Sequence, residues 1–278
     1  MKELALNQAQ TRAKEGTYAF SRLKDKQLEL SRLKKQGTIL PGLELEYLVR
    51  HGLTPDMKVL DAACGPGTTT SLIHDFLESG TVIGVDINDD LLREATAHAS
   101  LNRQPITFLK ADIYDLPFEE EFDYIYCRFL FQHLADPSQA IASLLRVLKP
   151  GGILHIIDVN DEWLFLDPPV PAFDALCDLA LKHQAEQGGN RLVGRYLRNL
   201  MAKQGTIDMQ SEIVAFNSDL IGIETFLQIT TIFKVEQILA LETDDDPKAL
   251  VDEILATVRE KEIFGMAGVF SVSGKKNV

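Results

Sequence analysis

The hydrophobic positions of this chain follow two rhythms. Before residue 57 they recur at helical spacing among charges. Leu23, Leu28, Leu30 and Leu33 form one set, and Leu45, Leu48 and Val49 form a second between Pro41, which opens a helix, and Gly52, which closes it. Residues 1–56 are therefore predicted to be an N-terminal helical cap packed outside any sheet. From Met57 onward short apolar runs alternate with helical segments, the pattern of parallel strands buried on both faces. MKVLDAAC (57–64) ends in the turn Gly65-Pro66-Gly67, and a helix through Leu72, Ile73 and Phe76 stops at Gly80. TVIGVD (81–86) is followed by Asn88, Asp89 and Asp90, an N-cap with an acidic first turn. ITFLKAD (106–112) and FDYIYC (122–127) read as the next two strands. Asp136-Pro137 then caps a helix with the stripe Ile141, Leu144, Leu145 and Leu148, and Lys149-Pro150-Gly151-Gly152 breaks it before the strand ILHIIDV (153–159).

The βαβα alternation over residues 57–160 predicts an α/β fold, a Rossmann-like doubly wound core. Beyond Asp158 the signal is weaker. Pro168, Pro169 and Pro171 lead into a helix bearing Phe173, Leu176 and Ala180, and another helix starts near Asn190. A strand over 207–216 precedes helical stretches at 220–241 and 248–260, and GVFSVSG (268–274) reads as the last strand. Residues 161–263 are too long for a plain connection and are expected to form a helical cover, with a sixth strand, over the ligand cleft; 264–278 completes the sheet.

Charge narrows the partners. With 28 basic against 41 acidic residues the net charge is −13, which disfavours nucleic acid or anionic membrane as the main partner. The densest basic stretch, 22–35, is interleaved with Asp25 and Glu29 and reads as a solvated helix face. The N-terminal residues hold no apolar run of signal-peptide length, so a cytoplasmic protein without membrane spans is expected, as monomer or homodimer. Cys64, Cys127 and Cys177 are too widely spaced for a zinc site, and no metal is expected. Cys64 and Cys127 end strands and read as small buried hydrophobes.

In an open parallel sheet ligands lie outside the carboxyl ends of the strands. Four consecutive ends carry residues 61–67, Asp86, Asp112, and Cys127 with Arg128. Gly65 and Gly67 let the backbone turn tightly and approach a ligand, and the amides of the following helix face an anion. Asp86 is placed to accept from both hydroxyls of a ribose, and Asp112 from an adenine amino group. Each element alone is ordinary turn or cap chemistry; their register on successive strands carries the reading.

These residues resemble the class I S-adenosylmethionine-dependent methyltransferases, of the small-molecule, ubiquinone/menaquinone-methyltransferase-like type. The resemblance rests on VLDAACGPG (59–67), GVD (84–86), KAD (110–112), FDYIYCRFLFQHL (122–134) and LKPGG (148–152), and it spans about 40–158. It implies a seven-stranded sheet with an antiparallel last strand. S-adenosylmethionine would lie across the first and fourth strand ends and leave as S-adenosylhomocysteine. By that likeness Asp61, Ala63, Gly65, Pro66 and Gly67 border the methionine part, Asp86 with Ile87 holds the ribose, and Asp112 with Ile113 flanks adenine. Arg128 and Gln132 line the sulfonium side, while Tyr18, Arg32, Leu33 and Gln36 are similar to helices that close over the cofactor. Ala63 stands where many members have glycine.

An activated methyl leaves the protein to align nucleophile, carbon and sulfur and to exclude water. If the small-molecule acceptor needs a base, His133 is the candidate catalytic residue, with Asp158 and Glu162 as alternatives in a loop after the fifth strand. Packing against the loop at Asp136 is the plainer reading of His133. Trp163, Phe165, Phe173 and Phe226 are aromatic candidates for the acceptor pocket. Two other functions compete: a non-catalytic adenosylmethionine-binding scaffold, and a nicotinamide-dependent oxidoreductase. The second is disfavoured because Thr68, Thr69 and Thr70 displace the third glycine of a dinucleotide fingerprint.

Overall fold

The computed structural model describes residues 17, 18, 20, 25–38, 41–239 and 245–278. Leu23, the 1–16 segment and the last two residues of the helix predicted over 220–241 lie outside them. Two helices, α1 (Lys26–Thr38) and α2 (Pro41–Arg50), precede the sheet. The parallel strands β1 (Lys58–Ala62), β2 (Thr81–Asp86), β3 (Thr107–Lys110), β4 (Phe122–Arg128) and β5 (Leu148–Asp167) follow, with α3 (Thr68–Phe76), α4 (Asp89–Leu101) and α5 (Pro137–Val147) between them.

Burial on both faces explains why the middles of the central strands are mostly apolar, with successive side chains pointing to opposite layers. On β1, Leu60 and Ala62 face one helical layer with Ile141 and Leu144 of α5, while Val59 faces the other with Leu48 of α2 and Ile73 of α3. Asn88 caps α4 by accepting from the Asp90 and Leu91 amides, and Asp136 caps α5 by accepting from the Gln139 amide at 2.9 Å.

The second half departs from expectation most at β5. β5 does not stop at Val159: after an irregularity between Val159 and Leu164 it continues to Asp167, paired with residues 264–267 of the last strand. Glu162 is therefore a strand residue rather than a loop carboxylate, and Asp158 lies within β5 rather than after it. After β5 come α6 (Pro171–Glu186), α7 (Leu197–Lys203), β6 (Ile207–Asn217), α8 (Ser218–Ile221) and α9 (Ile223–Leu227). A π turn over Gln228–Ile232 leads to α10 (Phe233–Leu239), then α11 (Pro247–Glu260) and β7 (Phe264–Lys275). The sheet order is β3-β2-β1-β4-β5-β7-β6, with β7 antiparallel to both neighbours. The helices after β5 share an apolar core of their own, including Phe173, Leu176, Phe226, Ile238 and Ile254. Among the described residues no helix is long and apolar enough to cross a membrane.

Candidate active site

A cavity of about 360 Å³ opens at the carboxyl ends of β1, β2 and β4 and runs beneath α1 and the 228–239 segment. The N-terminal helices do not simply pack outside the sheet. Arg32, Leu33, Gln36 and Gly37 of α1 and Glu44 of α2 line the cavity, so these helices roof the strand ends.

Of the residues expected to meet the cofactor, Tyr18, Gln36, Asp61, Ala63, Gly65, Pro66, Asp86, Ile87, Asp112, Ile113, Arg128 and Gln132 all line this one cavity. Gly67 does not. Its φ is +76°, and a Cβ there would sit 2.8 Å from the Ala95 Cβ. Gly67 thus serves the turn and the approach of α4, while Gly65, at φ +54° with nothing within 4 Å of a Cβ position, is the glycine that leaves open space.

The Asp86 carboxylate accepts from the Gly65 amide at 3.0 Å and the Asn88 amide at 2.9 Å, so the end of β2 and the glycine turn are locked together. Burial nevertheless raises its pKa. Asp61 is 2% exposed and accepts from the Thr70 hydroxyl at 2.6 Å. Burial pushes its carboxyl up to about 7, against the Thr70 hydrogen bond. Two features fit this cavity to a ligand with amino-acid, ribose and adenine parts. A row of acceptor carboxylates lies at or just past the ends of three strands, at Asp61, Asp86 and Asp112. Gln132 Oε1, on a residue only 5% exposed, has no hydrogen-bond partner.

Sequence reasoning missed the residue that ties the roof to the sheet. Glu44 accepts from Thr69 Oγ1 and Tyr126 Oη, each at 3.1 Å, and from Arg128 Nη1 at 3.0 Å. The available signal was Glu44 lying one turn before the buried Leu48 on α2. Arg128 Nη2 also donates to the Gln36 carbonyl at 3.1 Å. Farther out, Tyr18 Oη donates to Glu29 at 2.5 Å, and Arg32 donates twice to Glu29 at 2.6 and 2.7 Å. Arg32 also lies 4.4 Å from the ring centre of Phe233.

His133 lines the cavity, but not as the imidazole near 6.5 that a base would need. Burial, then Arg191 and Arg32, hold its pKa down at about 3, and its Nδ1 shares a 2.7 Å hydrogen bond with Thr17 Oγ1. The alternatives change too. Asp158 is fully buried, accepts from the Gln132 amide at 3.2 Å and the Val159 amide at 2.8 Å, and is pushed by burial to about 7; Glu162 is paired with Arg195 outside the cavity lining. None of the four aromatic candidates lines the cavity. Trp163 and Phe165 are 44% and 43% exposed because odd positions of β5 there face outward, and Phe173 and Phe226 belong to the core of the cover. Phe129, Phe216 and Phe233 line it instead. Cys64 and Cys127 are buried with pKa values raised well above the ordinary thiol range by burial, consistent with inert packing. Among the described residues no cluster suits a metal ion.

The sheet order, the glycine turn and the acidic strand ends are those of an enzyme class built to hold a methyl donor, and comparison with known proteins agrees. Residues 53–219 match a family described as a methyltransferase domain. An uncharacterised methyltransferase of Schizosaccharomyces pombe is 32% identical over 163 residues, 55% of this chain and 57% of that protein. A ubiquinone/menaquinone biosynthesis C-methyltransferase of Shewanella piezotolerans is 40% identical over 114 residues, 39% of this chain and 45% of that protein. The solved structure of a Haemonchus contortus phosphoethanolamine N-methyltransferase in complex with S-adenosyl-L-methionine matches with a TM-score of 0.54 at 19% identity, covering 85% of this chain and 53% of that one, a likeness of fold. The chain spans about half the length of the curated relatives it matches. It belongs to the class I S-adenosylmethionine-dependent methyltransferases.

Proposed function

We propose that this chain transfers a methyl group from S-adenosylmethionine to a small-molecule acceptor held in the outer part of the same cavity. One observation carries the reading. The cavity, about 360 Å³ and within the range of small-molecule sites, runs unbroken from the acidic strand ends to a wall of β5, β6, β7 and α10 residues. Both ends lie under the same roof of α1 and the 228–239 segment.

In this reading Asp61 and the Gly65 turn border the amino-acid part of the cofactor, Asp86 takes the ribose hydroxyls, and Asp112 with Ile113 flanks adenine. The bound cofactor supplies a sulfonium whose methyl carbon is already electrophilic. The chain's own residues do the rest by position. Glu44 holds Arg128 and Tyr126 in place, and the Gln132 amide oxygen offers an unfilled acceptor. Phe20, Leu33, Phe129 and Phe233 keep water out. His133 contributes as a neutral, hydrogen-bonded wall, because a group with a pKa of about 3 is a poor proton acceptor at neutral pH.

Calorimetry with S-adenosylhomocysteine and with NAD, followed by methyl release over a panel of small acceptors, tests the proposal. Binding of the thioether without NAD binding, and turnover with at least one small acceptor, is the expected result. NAD binding alone would overturn the cofactor assignment, and thioether binding without turnover on any acceptor would favour a scaffold.

A further inference from the structure

The far wall of the cavity carries a charge arrangement that the methyl donor does not explain. Arg191, Asp161 and Lys234 form one buried cluster with side chains 2%, 6% and 0% exposed. Asp161 accepts from Arg191 Nε at 2.5 Å, from Arg191 Nη2 at 3.2 Å and from Lys234 Nζ at 3.0 Å. Lys234 Nζ also contacts Cys177 Sγ at 3.4 Å, and Arg191 Nη1 donates to Gln184 Oε1 at 3.1 Å. Among the described residues no other carboxylate lies within ion-pair distance of either cation. Burial opposes the charge on Asp161, yet Arg191 and Lys234 outweigh it and hold the carboxyl down at about 2, so it is ionised at any physiological pH.

Two cations therefore share one anion in a buried wall, an excess of one positive charge inside a protein whose net charge is −13. Uncompensated buried charge costs several kcal/mol, so such an excess is stable chiefly where an anion completes it. The neighbours do not supply that anion. Arg32 is already taken by Glu29 across the Phe233 ring, and His133 is neutral. Asp158 feels the charge of Arg191, but burial pushes its carboxyl up to about 7, its oxygens accept from backbone amides, and it neither pairs directly with Arg191 nor lines the cavity, so it offsets the excess only in part. Of the five N–H groups of Arg191, three are engaged, and Arg191 itself lines the cavity. Strands β5, β6 and β7 and the 228–239 segment line the cavity with the apolar Leu164, Val214, Phe216, Ile229, Phe233 and Val269, beside the polar Asn160, Asp161, Thr230 and Gln237.

We propose that the methyl acceptor is an amphiphilic small acid, with its anionic group, a carboxylate or equivalent, against the free edge of Arg191 and its apolar body against the six apolar residues. This inference rests on the cavity holding both cofactor and acceptor. A carboxylate against Arg191 has two possible sources, the acceptor or the amino-acid part of the cofactor, and the experiment separates them.

The full chain is first titrated with S-adenosylhomocysteine; absence of binding defeats the functional reading itself. On the thioether-saturated protein, octanoate and phenylpropionate are then compared with their primary amides by calorimetry and thermal shift. The acids are expected to bind at least about tenfold more tightly than the amides, the scale of one charge-assisted hydrogen bond. Arg191→Met, which leaves Asp161 paired with Lys234, should abolish that preference while changing thioether affinity less than about threefold. Lys234→Met, which leaves the Arg191 pair intact but removes the excess charge, should reduce the preference as well, so the test survives if one variant fails to fold. Equal binding of acid and amide by the unaltered protein, or binding of neither at millimolar concentration, overturns the inference. So does a tenfold loss of thioether affinity in Arg191→Met without any acid preference in the unaltered protein, which would give the anion to the cofactor.

Discussion

Replacing Glu44 by Gln tests whether the roof and the sheet are joined by one network. Glu44 is 10% exposed at its side chain and Arg128 21%, while Tyr126 is fully buried. Glutamine keeps one oxygen to accept from Thr69 or Tyr126 but removes the charge facing Arg128. Losing a hydrogen bond to a charged group costs about 1.5 to 3 kcal/mol, and water reaching the partly exposed guanidinium recovers some of it, so a net loss of about 2 kcal/mol is expected. For a chain of 278 residues that corresponds to a fall in Tm of about 4 to 8 °C. The assay is thermal and urea unfolding of E44Q, R128M and the double variant. If Glu44 and Arg128 act as a unit, the double variant loses about 1 to 2 kcal/mol less than the two single losses combined. Additive losses within about 0.5 kcal/mol, together with an unchanged Tm in E44Q, would refute the network.

Asp86→Ala should weaken S-adenosylhomocysteine binding roughly a hundredfold, about 2 to 3 kcal/mol, measured by calorimetry on protein shown to be folded; unchanged affinity removes Asp86 from the ribose site. His133→Ala should lower Tm by a few degrees, through loss of the Thr17 hydrogen bond, and leave no missing ionisation near pH 6.5 in the rate profile. A hundredfold fall in rate with Tm intact would restore it as a base. Asp61 and Asp158 both have folded pKa values of about 7, above an unfolded value of about 3.9, so the folded chain holds more protons than the unfolded chain between those values. Stability of the ligand-free protein is therefore greatest with respect to these groups below about pH 4 and declines toward pH 7, by on the order of 4 kcal/mol for each. Asp61→Asn should flatten its share of that slope in urea unfolding across the window, and an unchanged slope would show that Asp61 stays ionised.

Much of the core follows from local rules. Residues 81–86 are a strand in both the pattern and the structure, Asn88 and Asp136 cap the helices they precede, and the strand-end carboxylates meet at one cavity because a parallel doubly wound sheet aligns its carboxyl ends. Periodicity, cap chemistry and turn residues are properties of neighbours in sequence, so the sequence alone determined them. What tertiary structure decided involves partners far apart in the chain. β5 continues to Asp167 because residues 264–267 supply its hydrogen bonds, and no local pattern announces that partner. Glu44 meets Arg128 across 84 positions, and Asp161 meets Lys234 across 73, so neither segment identifies its partner. The same holds for proton affinity. An imidazole in solution titrates near 6.5, and the value of about 3 at His133 arises from the walls that desolvate it and the two guanidiniums that face it. Gly65 and Gly67 show the division at its finest: both are turn glycines by sequence, but only the packing of α4 against Gly67 assigns one to the cavity and the other to the fold.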